Sequence, residues 1–158
     1  TMPLMGPTFD LVRSGAMTWF LTDCTAMLLV VPVSLLLFDR LTGTLPAEQA
    51  PVLESAALLC GGMACALIVF GQNQYSLLFL IQPITLLHAF RLGSLGSALH
   101  VVGLAVVASG MTMMGQGPIA AANVGGMSEL HLLQAFIAAN FLTGLPVAAI
   151  LAGRDRMM

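Results

Sequence analysis

The chain contains no lysine; its only basic residues besides three histidines are five arginines, set against seven acidic residues in 158 positions. Charged residues make up 8% of it, where a soluble domain carries about 25%. A water-facing surface cannot be built from so few charges. The net charge of −2 is too small to point to nucleic acid or an anionic partner. Cysteine is scarce as well. Cys60 and Cys65 are five residues apart on one apolar stretch and Cys24 stands alone. That spacing puts the first two on different helix faces, beyond the ~7 Å that a bridge tolerates. Their reading is three small buried thiols rather than a disulfide framework. The start of the chain lacks the basic segment, short apolar core and small-residue cleavage site of a signal peptide.

Apolar residues fill what is left. They form 58% of the chain, and the mean hydropathy is +0.97. The apolar runs are continuous, where a membrane β-barrel needs short alternating strands. Lipid admits only structures that satisfy their backbone internally, so the fold class is all-α, a polytopic transmembrane helical bundle. A span needs about 20 apolar residues. Five stretches qualify, at roughly 17–38, 52–70, 75–90, 95–114 and 129–151. A short amphipathic piece, Phe9 to Arg13, precedes the first. Pro32 should kink the first helix, Pro83 interrupts the third, and Pro146 lies in the fifth. Gly71–Gln74 and Arg91–Ser94 read as tight turns, and the segment 115–128 as an uncharged Gly-rich connection.

Cytoplasmic loops carry the basic excess. Five crossings place Arg40, Arg91, Arg154 and Arg156 on one side and Arg13 on the other. The orientation is then an outside start and a cytoplasmic end. An outside start is expected to follow an odd number of upstream helices, and the end after Arg156 to precede a cytoplasmic segment. The chain would be part of a larger domain.

Polar groups inside spans are the first place to look for function. Asp23, Gln82 and Gln134 fall at a shared depth of about 8–10 Å below the outer surface, from 1.5 Å of rise per residue. One reading is a polar cavity open to the outside with Asp23 as its charged member. The commoner circumstance is that Asp23 reaches up to water while the two glutamines join helices. Trp19, one turn from Asp23, suits the interface. His88 and His100 come to neighbouring levels if the chain turns at Arg91–Ser94. Paired histidines bind haem or metals, but no carboxylate or Cys shares their level, so packing or hydrogen bonding is the expected role. His131 is expected to be solvated. Gly96, His100, Gly103, Val107 and Gly110 form one small-residue face for close helix packing. Gly115-Gln-Gly117-Pro118 lacks the Lys-Ser/Thr and the preceding strand of a nucleotide loop. No catalytic set shares a level, so no enzyme activity, metal or cofactor is expected of this chain.

The order of several short motifs resembles the membrane-associated sensor domain of the first type, a member of the MASE family. They are Pro83, Ala89-Phe-Arg91-Leu-Gly93, Gly115-Gln-Gly117-Pro118-Ile119, Leu132-Leu-Gln134-Ala-Phe136 and Arg154. Trp19-Phe-Leu-Thr-Asp23 with Pro32 is similar to the preceding block of the family. The chain departs from the pattern at Ala26 (Gly favoured), His88 (often Trp) and Ile119 (usually aromatic). The resemblance implies a domain of about eight helices, of which these five would be the C-terminal part, placed before a cytoplasmic output module of a bacterial signalling protein. Those modules are diguanylate cyclases, cyclic-di-GMP phosphodiesterases and histidine kinases of two-component systems. It implies an inner-membrane location, with lipid, the output domain in cis and a second copy of the chain as candidate partners. Asp23, Gln82, Gln134, Gly115, Gly117 and Pro118 are then the ligand-side candidates, with Gly144 and Pro146 as flex points toward the cytoplasm. A small transporter or a passive dimerising anchor are the alternatives.

Overall fold

A computed structural model describes residues 7–44, 50–73, 77–122 and 129–155, and all their regular structure is helical. The elements are α1 (Pro7–Leu41), α2 (Val52–Phe70), a 3-10 turn (Leu78–Leu80), α3 (Ile81–Met113), α4 (Gly117–Ala120) and α5 (Glu129–Asp155). Among the described residues, four stretches are long and apolar enough to cross a bilayer: Leu11–Leu41, Val52–Phe70, Leu78–Met113 and Glu129–Leu151.

Five separate spans were expected, and the difference lies in α3. The stretches 75–90 and 95–114 belong to one element, broken only at Gly93, whose φ of 66° and ψ of −160° are not helical. The break is a reversal. In a straight helix His88 and His100 would lie about 18 Å apart, yet their ring centroids are 3.9 Å apart. The two limbs fold back on each other with a single residue between them. Only glycine takes this backbone conformation without a Cβ penalty. The first limb, Ile81–Leu92, is short because the turn before it is 3-10 and Gly93 ends it.

Other boundaries also moved. The piece Phe9–Arg13 is the first part of α1 rather than a separate segment. Arg13 is exposed there, and a charge at a helix end does not stop the helix. α1 continues through Pro32 and α5 through Pro146. At 35 residues α1 is about 52 Å long, well beyond the ~30 Å hydrocarbon core. α2 keeps its expected bounds, between extended Pro51 and Gly71, whose N–H closes on the Leu67 carbonyl at 2.8 Å.

α3 is the centre of the bundle and packs on α1, α2, α4 and α5. Half of its most apolar window is buried, while none of that of α1 is. The apolar core gathers at the Phe70 end, where Ala66, Val69 and Phe70 meet Ile81, Leu104, Ile119 and Leu133. Toward the Gly93 end the interior becomes polar.

Candidate functional site

Two places in the bundle carry polar chemistry. The first is interior. Thr85, His88, Ser97, His100 and Asn140 are all buried. The reversal at Gly93 makes this cluster, since it brings Thr85 and His88 of one limb beside Ser97 and His100 of the other. Thr85 Oγ1 donates to Asn140 Oδ1 at 3.0 Å and lies 3.0 Å from the Ile81 carbonyl; Asn140 Nδ2 donates to the Phe136 carbonyl at 2.9 Å. Gly144 lets α5 approach: a Cβ there would lie 2.8 Å from Ser97 Oγ and 2.9 Å from Thr85 Cγ2. Its place is thus a close contact in mid-bundle.

His88 and His100 stack almost parallel, at 12°. His88 Nδ1 lies 2.7 Å from the Ile84 carbonyl and Nε2 lies 3.0 Å from the Leu58 carbonyl of α2. Both ring nitrogens of His100 are buried without a partner among the described residues, as is Ser97 Oγ. Gly62 of α2 faces both rings. A Cβ at Gly62 would sit 2.8 Å from His100 Cε1 and Nδ1 and from His88 Cε1. The two rings therefore pack, and only His88 also hydrogen-bonds, which leaves it no nitrogen for a metal. Among the described residues no group of three or more His, Cys, Asp or Glu could hold a metal ion. One turn beyond, Arg91 pairs with Glu54 near the surface.

The second place is a groove of about 520 Å³ between α1 and α5, lined by Met17, Leu21, Cys24, Leu28, His131 and Gln134 among others. Its polar edge has a direction. Thr18, Thr22 and Thr25 each donate their hydroxyl hydrogen within α1, to the carbonyls of Ser14, Thr18 and Leu21. Toward α5 they can only accept. Gln134 Nε2 accordingly donates to Thr22 Oγ1 at 2.9 Å, and His131 Nε2 stands 3.5 Å from Thr18 Oγ1. This orients the Gln134 amide, and its Oε1 is left buried without a partner among the described residues. His131 is half-buried against α1 rather than solvated, because the groove wall reaches its level.

The polar layer of Asp23, Gln82 and Gln134 does not converge. Gln134 meets Thr22, not Asp23. Asp23 is exposed, and Gln82 is half-buried on α3; neither makes a hydrogen bond or ion pair among the described residues. Gly115 is an exposed turn residue with φ of 71°, and Gly117 (φ 93°) and Pro118 are buried in α4. The Gly117 N–H donates to Asn73 Oδ1, and a Cβ there would lie 2.9 Å from the Phe70 carbonyl. That loop seals the Phe70 end of the core. Trp19 and Pro83 are exposed and Pro32 is half-buried. Phe136 packs edge-on against Phe70, with centroids 5.6 Å apart. Arg154 lies in the last turn of α5.

Sequence reasoning passed over Thr22, Thr85, Ser97 and Gly62. For Thr22 a signal existed, since Thr18, Thr22 and Thr25 recur at spacings of four and three, one helix face.

The MASE1 family model, describing a membrane-associated sensor domain, matches residues 2–156. No curated protein and no solved structure matches the chain.

Proposed function

The chain belongs to the MASE1 family of membrane-associated sensor domains, and from that premise we propose that it is the input domain of a bacterial signalling protein in the inner membrane. It crosses the membrane five times, the two limbs of α3 counting as one crossing each. The fold-back at Gly93 supports this count. Four of the five arginines then lie on the cytoplasmic side. The output is a cytoplasmic module in the same protein, either one that makes or degrades cyclic di-GMP or a histidine kinase.

In this reading the signal enters at the groove between α1 and α5, with Gln134 and His131 on its wall. Gln82 serves the same level on α3. The observation that carries the reading is the placement of α5. One helix lines the groove at Gln134, engages the polar interior at Asn140 and Gly144, and continues to Asp155. A change of α1–α5 packing is therefore passed along a single continuous helix. A ligand or membrane state acts only through different affinity for two packings.

The test uses the full protein with its native output module. Thr22→Val removes the acceptor for Gln134, and Asp23→Asn removes the charge at the next position of α1. Output should change in Thr22→Val while the protein stays folded and inserted. If output of both variants equals that of the parent under every condition tried, the groove is not the signal path.

A further inference from the structure

We propose that the groove between α1 and α5 binds a single-chain amphiphile with a neutral hydroxyl head, such as a long-chain alcohol or a monoacylglycerol. The inference rests on the reading of that groove as the point of signal entry and names the chemistry that enters it.

The groove is polar at one end only. Thr18 faces His131 and Thr22 faces Gln134, so α1 and α5 run in the same direction along it. His131 and Gln134 stand at its beginning, and Leu28, Ala138 and Leu142 line its far part. Each wall, Met17 to Leu28 on α1 and His131 to Leu142 on α5, runs for about 16 Å. The volume of about 520 Å³ falls within the range of small-molecule sites. None of the residues lining it is acidic or an arginine. Arg13, one turn before Met17, is exposed beyond its end. A trough of this shape suits an extended alkyl chain with its head at the Gln134 end.

The head group follows from counting donors. The Thr22 hydrogen is committed to the Thr18 carbonyl, so the Gln134 amide turns Nε2 toward Thr22. Oε1 is then left without a donor among the described residues, on a side chain that is 7% exposed. Thr25 has given its hydrogen to the Leu21 carbonyl and likewise offers only a lone pair. A head group that meets these oxygens has to donate. A carboxylate or phosphate would set oxygen against oxygen, and an ether or ester has nothing to donate. An ammonium group would carry a charge into an apolar trough without a counter-charge. A hydroxyl donates and stays neutral.

In the packing described here Oε1 is closed off from the groove space. The hydroxyl reaches it when α1 and α5 part slightly, so the ligand binds the parted arrangement in preference. That preference is the difference in affinity between two packings that a ligand-driven change requires. An orphaned buried acceptor is costly to the empty bundle, and satisfying it offsets part of the cost of parting. α1 is the helix least held by the others, since none of its most apolar window is buried.

The experiment uses the full chain in phosphatidylcholine nanodiscs, with dodecanol as the probe. Cys24 lines the groove and is exposed, while exposed Cys60 lies on α2. Alkylation by a membrane-permeant maleimide is read at each cysteine by mass spectrometry. Dodecanol should slow it severalfold at Cys24 and leave Cys60 unchanged. Compared at equal membrane mole fraction, half-protection should need about fivefold less dodecanol than dodecyl methyl ether, the worth of one hydrogen bond. Dodecanoate should protect no better than the ether. Monolauroylglycerol tests the source of the hydroxyl: protection by it as well supports a glyceride ligand, and protection by dodecanol alone supports a free alcohol. Gln134→Leu should bring dodecanol down to the level of the ether. Ala138→Phe, which fills the groove from α5, should abolish protection by both; parental helicity and Cys60 labelling show that the two variants are folded. Equal protection by alcohol and ether in the parent overturns the hydroxyl assignment, and protection that survives Ala138→Phe overturns the site. Output is read in parallel from the protein with its native module. If Thr22→Val changes output but the alcohol is not preferred, this inference fails and the sensory reading stands. Alcohol-selective protection with unaltered output supports the site and counts against the sensory reading.

Discussion

Two adjacent glycines on α2 should respond to the same substitution with opposite signs. A Cβ at Gly61 meets nothing within 4 Å, while one at Gly62 would lie 2.8 Å from atoms of both histidine rings. Alanine is favoured over glycine inside a helix by about 0.8–1 kcal/mol, and that gain applies to both positions. Gly61→Ala should therefore stabilise by up to about 1 kcal/mol. At Gly62 the methyl group needs about 0.7 Å more room to go from 2.8 Å to ordinary contact at about 3.5 Å. A retreat of the His88 ring by that amount would stretch its 3.0 Å bond to Leu58 beyond hydrogen-bonding range. Overpacking of this kind costs about 1–3 kcal/mol, and a weakened buried bond about 1 kcal/mol more. The alanine gain offsets part of this, leaving Gly62→Ala about 1–3 kcal/mol less stable than the parent. The two variants should differ by about 2–4 kcal/mol, read by unfolding of the purified protein in detergent. Equal stability of the two alanine variants would refute the placement of the histidine pair against α2.

Three further outcomes are expected from the same measurement. Gly117→Ala combines a positive φ with a Cβ 2.9 Å from the Phe70 carbonyl, and should destabilise by about 2 kcal/mol or more; Gly110→Ala, at a helical position with nothing within 4 Å, is its control and should not destabilise. Asn140→Leu removes the bond from Thr85, but Thr85 keeps the Ile81 carbonyl, so the loss should stay below about 1 kcal/mol, as for interhelical hydrogen bonds in other membrane proteins. Arg91→Ala breaks an ion pair whose arginine side chain is 59% exposed, and should change stability by less than about 1 kcal/mol.

Punctuation by proline and glycine made parts of the fold legible. α2 runs between Pro51 and Gly71 as its sequence indicates. The turn at Arg91–Ser94 was readable too, and with it the approach of His88 to His100. What could not be read was that one glycine would suffice for the reversal, because a loop and a break look alike in composition. The site was less legible. Counting residues along a helix gives height but not direction around the axis. Asp23 and Thr22 share a level within 1.5 Å, yet a step of about 100° turns Thr22 toward α5 and Asp23 away. Gly62 looks like Gly61 in sequence, and only its neighbours across the helix boundary distinguish them. The thiols fared differently: Cys24 and Cys60 are exposed on the bundle rather than buried, because an apolar residue in a membrane helix faces either lipid or protein at little difference in cost.

The threonine face of α1 has a mechanical side. Thr18, Thr22 and Thr25 turn equivalent oxygens toward α5, each with its hydrogen already committed to its own helix. They are notches of one kind, spaced close to the 5.4 Å pitch of the helix. If α1 slid by a turn, Gln134 would exchange Thr22 for Thr18 or Thr25 and hold an equivalent bond at the end of the step. A piston stroke of one turn is thus a movement between like resting points, as in one-turn ratchets between packed elements elsewhere. Such a stroke would give α1 discrete positions instead of a graded tilt.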